Sequence, residues 1–163
     1  MSEELAGGKL RLDAPAEHVA RLAITNPAKR NALDQELLDA IASTVAGLDA
    51  RCVVLTGSEG MFSAGYDIGT FDDAHFEEQA EKLVAHPFHA AIEALEAFPY
   101  PAVAALNGHA IGGGLELALT CDLRMAATGI KLGMPPAKLE RSEERRVGKE
   151  CCALCRSRWS PYH

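Results

Sequence analysis

The chain has 163 residues, a net charge of −7, and 48% hydrophobic and 24% charged residues, the make-up of an ordinary globular protein. That length suits one domain, alone or with a tail, and suffices to bury a core. The acidic balance argues against a general nucleic-acid binder, and the lack of any run of eighteen apolar residues excludes a membrane span. Met1-Ser2-Glu3-Glu4 has neither the basic nor the apolar region of a signal peptide, so a cytoplasmic location is expected. The charge is unevenly spread: residues 1–140 hold ten basic and twenty acidic side chains, residues 141–163 six basic and three acidic. The second stretch also holds Cys151, Cys152, Cys155 and the single tryptophan, Trp159, and has no helical or strand period.

In chain order, residues 9–13 and 18–25 read as short strands with Pro15 in the turn between them. Asn26-Pro27 stops the second strand. Leu33, Leu37, Ile41, Val45 and Leu48 recur at spacings of three and four, predicting an amphipathic helix over 33–48. Residues 51–56 form a β-branched run that fits a buried strand. Residues 61–70 are small and glycine-containing, and read as a loop or short turn. Residues 73–86 and 87–97 read as two helices, Pro87 lying in the first turn of the second. Residues 102–106 read as a strand, 115–121 as a buried helix opened by Gly112-Gly113-Gly114, and 122–127 as a further strand. Strands alternating with helices predict an α/β layout.

Two segments offer backbone N–H groups rather than reactive side chains: Ser63 to Ile68, and Asn107 to Glu116. Glycines at a helix start leave free donors at the positive end of the helix dipole, suited to an anion or a developing oxyanion. Glu116 follows Gly113 by three residues, so donor and carboxylate share one helix face. That pairing can polarise a carbonyl while moving a nearby proton. Each feature also has a plainer reading, the glycines as a tight turn and Glu116 as a structural carboxylate. Rossmann, P-loop and lipase-type glycine patterns are absent.

Five pieces of text, in order, resemble the enoyl-CoA hydratase/isomerase (crotonase) superfamily. They are N-A-L at 31–33, V-V-L-T-G at 53–57, F-S-A-G-Y-D-I at 62–68, P-A-V-A-A-L-N-G at 101–108 and G-G-G-L-E-L-A-L-T-C-D-L-R at 112–124. The resemblance spans about residues 9–139. It implies a repeated ββα spiral, here truncated and lacking the family's C-terminal helical part. It also implies an acyl-CoA thioester substrate and stabilisation of a thioester enolate. By motif position the oxyanion hole falls on the backbone N–H groups of Tyr66 and Gly113, which would leave the Tyr66 side chain free to vary. The loop Ala64, Tyr66, Asp67 and Ile68, with Gly113, would contact the coenzyme A part of the substrate. Glu116 matches one of two hydratase glutamates, which orients and activates water. Pro136 stands where the second would be, and proline cannot transfer a proton; other branches of the superfamily use other residues. No cofactor beyond the substrate's coenzyme A is implied, and the full-length parent is expected to be a homotrimer or dimer of trimers. A second reading is a non-catalytic or inactive acyl-CoA-binding fragment.

The other candidates carry less. His109 lies in the glycine segment and reads as packed or solvated before it reads as pocket-lining. Asp67 is expected to hold its loop rather than react. His75, His86 and His89 lack a ligand pattern, and Cys52 and Cys121 fit element interiors as small hydrophobes. Cys152-Ala153-Leu154-Cys155 is a C-x-x-C with only Cys151 and His163 nearby, short of the usual four zinc ligands. No metal site is therefore expected. Residues 140–163 are expected to be an unrelated tail, disordered or artefactual, joined after a partial domain at 1–139.

Overall fold

The computed structural model describes residues 2–69 and 75–134, and the elements below lie in the unit Met1–Gly133. The chain opens with three antiparallel strands, β1 (Ser2–Leu5), β2 (Leu10–Ala16) and β3 (Val19–Ile24). The sequence reading missed β1, whose text, SEEL, is acidic and largely exposed. It holds mainly by backbone pairing, Ser2 opposite Asp13 and Leu5 opposite Leu10, with only Leu5 reaching the core, and no side-chain pattern announces it. Pro15 lies within β2 rather than in the turn, inside a register irregularity between Asp13 and Ala16. A break in the ladder is where a residue without an N–H is tolerated.

Helix α1 (Gln35–Ala46) sits inside the predicted 33–48 span. Asp34 sets its start: Oδ1 accepts the Leu37 N–H at 2.9 Å, satisfying one of the first-turn donors. Lys9 Nζ donates to Asp34 Oδ2 at 2.7 Å and to Glu36 Oε2 at 2.6 Å. These two hydrogen-bonded carboxylates hold the Lys9 ammonium above the usual lysine range. Leu37, Leu38, Ile41 and Val45 turn inward and are buried.

Three strand pairs follow: β4 (Cys52–Thr56) with β5 (Met61–Ser63), β6 (Ala102–Leu106) with β7 (His109–Ile111), and β8 (Leu123–Ala126) with β9 (Leu132–Gly133). The first strand of each pair joins a six-stranded sheet of order β1-β2-β3-β4-β6-β8. The second builds a small sheet of order β5-β7-β9. From β3 onward all pairings are parallel. Between β5 and β6 run α2 (Phe76–Leu83), a π-helical turn Val84–Phe88 and α3 (His89–Ala97); between β7 and β8 runs α4 (Gly113–Thr120). This is a repeated ββα arrangement. Residues 61–70, read as a loop, thus begin with a strand too short to show a period. Nor does Pro87 start a separate helix. It sits in the π turn that carries α2 into α3, where wider hydrogen bonding accommodates its missing N–H.

The core lies where α1 and α3 pack together beside the large sheet. Leu22, Leu55 and Ala104 pair across β3, β4 and β6 and are fully buried. The edge strand β8 is exposed along its length, Met125 to 71%. Among the described residues no helix is long and apolar enough to cross a membrane.

Successive turns of the spiral touch through backbone. A Cβ on Gly108 would lie 1.8 Å from the Gly60 carbonyl oxygen. Asn107 Oδ1 accepts the Gly57 N–H at 2.9 Å, linking the turn after β6 to the turn after β4. Asn31, fully buried at φ +57°, ties a third segment to them. Its Nδ2 donates to the Ser58 and Met61 carbonyls at 3.1 and 2.7 Å, and its Oδ1 accepts the Asn26 N–H at 2.9 Å. Asn31→Ala removes these partners and also puts alanine in the left-handed region, so it is expected to destabilise the fold by about 2–4 kcal/mol. A urea midpoint equal to the wild type's would contradict this.

Candidate active site

The two glycine-containing segments meet at the small sheet. In the first, Ala64 N–H donates to the Arg30 carbonyl at 3.0 Å and Gly65 N–H to Ser63 Oγ at 3.1 Å. Asp67 N–H donates to the Leu33 carbonyl at 2.9 Å and Ile68 N–H to the Tyr66 carbonyl at 3.0 Å. The Tyr66 N–H alone in this run has no acceptor among the described residues. In the second segment, Gly112 N–H donates to Gly133 and the Leu115 and Glu116 N–H groups donate to Gly112. The first-turn N–H of Gly113 has no acceptor among the described residues.

Close packing brings these two donors together. Gly65 adopts φ +92°, a conformation L side chains resist, and a Cβ there would lie 2.8 Å from the Ile111 carbonyl and 3.3 Å from Gly113 N. A Cβ on Gly114 would press on Ser63, 2.6 Å from its Cβ. Gly112, at φ 54° and ψ −128°, makes the sharp entry into α4 that only glycine takes easily. Glycine is therefore required here for space as well as for its dihedral angles.

Glu116 lies in the first turn of α4 and is half-buried. Its Oε2 accepts the Tyr66 O–H at 2.9 Å across fifty residues of chain. The Tyr66 ring lies over Gly113, where a Cβ would stand 2.7 Å from Cε1 and Cζ. Phe88, in the π turn, meets that ring edge-on with centroids 5.0 Å apart. Burial first, and the Glu116 hydrogen bond second, push the Tyr66 phenol well above the usual tyrosine range, so it stays protonated. The Tyr66 side chain is thus tied to the site rather than free to vary. Neither this bond nor the Phe88 contact has a sequence signal, because residues fifty or twenty-two apart leave no period.

Asp67 is 8% exposed, and its Oδ2 takes the Lys29 ammonium at 2.5 Å while Oδ1 accepts the Gly69 N–H at 3.3 Å. It ties its loop to the 27–29 turn. Ile68 is half-exposed beside it. His109 Nδ1 accepts the Lys131 N–H at 2.9 Å, binding β7 to the segment before β9. That bond leaves the proton of the neutral ring on Nε2. Among the described residues no cluster of three His, Cys, Asp or Glu side chains is placed to hold a metal. Pro136, Cys151, Cys152, Cys155, Trp159 and His163 lie outside the described residues, as does the start of the predicted 73–86 helix.

Cys121 is buried at the end of α4, and burial pushes its thiol up to about 11. Near neutral pH its thiolate fraction is then about one in a thousand or less. Cys121 is expected to resist alkylation in the folded chain and to react once urea unfolds it. Peptide masses after timed labelling would read this, and native labelling at the unfolded rate would contradict it.

The fold is shared with solved crotonase-type enzymes. The enoyl-CoA hydratase of Bacillus anthracis superposes with a TM-score of 0.72 at 30% identity, over 81% of this chain and 52% of that one. A Thermobifida fusca YX structure in complex with acetoacetyl-CoA superposes at 0.65 with 31% identity, over 78% and 54%. A Bacillus subtilis protein named "Probable enoyl-CoA hydratase" is 40% identical over 129 residues, 76% of this chain and 48% of its own length. The enoyl-CoA hydratase/isomerase family model matches residues 15–151, and the chain belongs to that family. It spans about half the length of the curated relatives it matches.

Proposed function

We propose that this site binds an acyl-CoA thioester and stabilises its enolate, for hydration or isomerisation of an enoyl-CoA. The observation that carries this reading is the pair of N–H groups without acceptors, Tyr66 and Gly113, brought together beside Glu116. The thioester oxygen would sit between the two donors, which meet the negative charge as it develops; one such donor is worth about 10²–10³ in rate. Glu116 would take a proton from water as the oxygen adds to the β-carbon, and would then return that proton to the α-carbon of the enolate, which restores the carboxylate. In isomerisation the same carboxylate would lift a proton from one carbon and return it to another. The acetoacetyl-CoA held by the Thermobifida fusca protein supports a CoA thioester as the ligand class. The reaction calls for no group beyond the coenzyme A of its substrate. Assembly as a homotrimer or dimer of trimers belongs to the same reading, and family membership is its support.

The test is turnover of crotonyl-CoA, followed by loss of enoyl absorbance, alongside a 3-enoyl-CoA followed by its gain. Turnover of either supports the reading. Tight binding of both without turnover would favour a non-catalytic acyl-CoA binder, and neither binding nor turnover would sink the proposal.

A further inference from the structure

The proposed chemistry uses the backbone of Tyr66 and leaves its phenol without a task. We infer that Tyr66 is a positioning residue for Glu116, its O–H fixing Oε2 so that Oε1 is presented to water or substrate. This rests on the proposed role of Glu116. Tyr66 donates to Oε2 at 2.9 Å, and Oε1 has no partner among the described residues. Gly113 lies against one side of the ring, and the edge-on Phe88 ring meets it from the π turn before α3. A half-buried phenol that stays protonated donates across the whole working pH range. One residue therefore supplies an oxyanion donor from its backbone and a carboxylate clamp from its side chain. The other bonds at Glu116, its own N–H to the Gly112 carbonyl at 3.1 Å and Thr120 Oγ1 to its carbonyl at 3.2 Å, do not touch the carboxylate.

The elements packed against α4 bring few rival charges. Neither β5 nor β6 carries a titratable side chain. His109 on β7 is engaged with the Lys131 N–H. On α3, His89 and Glu93 approach each other at 3.2 Å, and Glu96 is exposed.

Tyr66→Phe in the 163-residue chain keeps the ring and both backbone donors and deletes only the O–H. The expected result is a fall in kcat of about tenfold with KM within about threefold, as loss of one charge-assisted hydrogen bond implies. A packing role would not lower kcat while sparing KM. An unchanged kcat would overturn the inference. A second measurement needs no turnover: the Tyr66 phenol, followed by NMR at the ring carbon that bears it, should ionise at lower pH in Glu116→Gln than in the wild type. No fall there would overturn the pairing even if Tyr66→Phe failed to fold. Absence of turnover in the wild type with that fall present would sink the proposed function and leave the pairing standing.

Discussion

Replacing Glu116 by glutamine is expected to lower crotonyl-CoA turnover by about 10²–10⁴-fold, the range for removing a positioned general base. The substitution is close to isosteric, and the amide oxygen can still accept the Tyr66 O–H now received by Oε2. The proposed oxyanion donors are backbone N–H groups of other residues, so KM should change little. Glu116 is half-buried at a helix start and makes no ion pair among the described residues, so the thermal midpoint should stay within a few degrees of the wild type's. The loss should therefore sit in kcat and in kcat/KM together, which marks an interaction made only in the transition state. Steady-state assays with a melting curve on each sample separate chemistry from folding. Turnover at the wild-type rate would remove Glu116 from the mechanism.

A large effect on stability is expected at Gly108. An alanine Cβ there would lie 1.8 Å from the Gly60 oxygen and 2.0 Å from its carbonyl carbon. Both are main-chain atoms of a neighbouring turn, so no flexible side chain can yield. Relief requires moving the turn after β6 off the turn after β4, with its Asn107–Gly57 hydrogen bond. Gly108→Ala is expected to cost about 3 kcal/mol, the upper part of the range for overpacking. Gly60→Ala is the control on the other side of the same contact. Gly60 sits at φ +72° with open space at its Cβ position, so its cost is the backbone strain alone, about 1 kcal/mol. Denaturant midpoints of the two variants should differ accordingly, and equal midpoints would show that the turns are not locked together.

Much of the fold was legible because its signals are local. The α1 stripe, the β-branched run of β4 and the alternation of β3 are periods within one element, and each appeared within two residues of its expected place. The strands that escaped notice are β1, β5, β7 and β9. They have two to four residues each and are held mainly by ladder hydrogen bonds that any sequence can make. Pro87 misled for a related reason, since a proline is compatible with a helix start and also with a π turn. At the site, Gly113, Glu116 and the Tyr66 backbone were legible from motif text. The partners of Asp67 and His109, namely Lys29 and the Lys131 N–H, were not.

The sequence by itself determined the α/β alternation, the glycines at the entry to α4, the carboxylate one turn along that helix and the family to which the chain belongs. These follow from spacing and residue type, which act over a few positions of chain. Only the tertiary structure decided that second strands of successive units build a separate sheet. It also decided which amides are left without acceptors, because that depends on every neighbour of the loop, Arg30, Leu33 and Ser63 included. The Tyr66–Glu116 hydrogen bond belongs to the same class. It exists because Gly65 and Gly113 let two backbone segments approach within van der Waals contact, a distance that the order of residues along the chain does not encode.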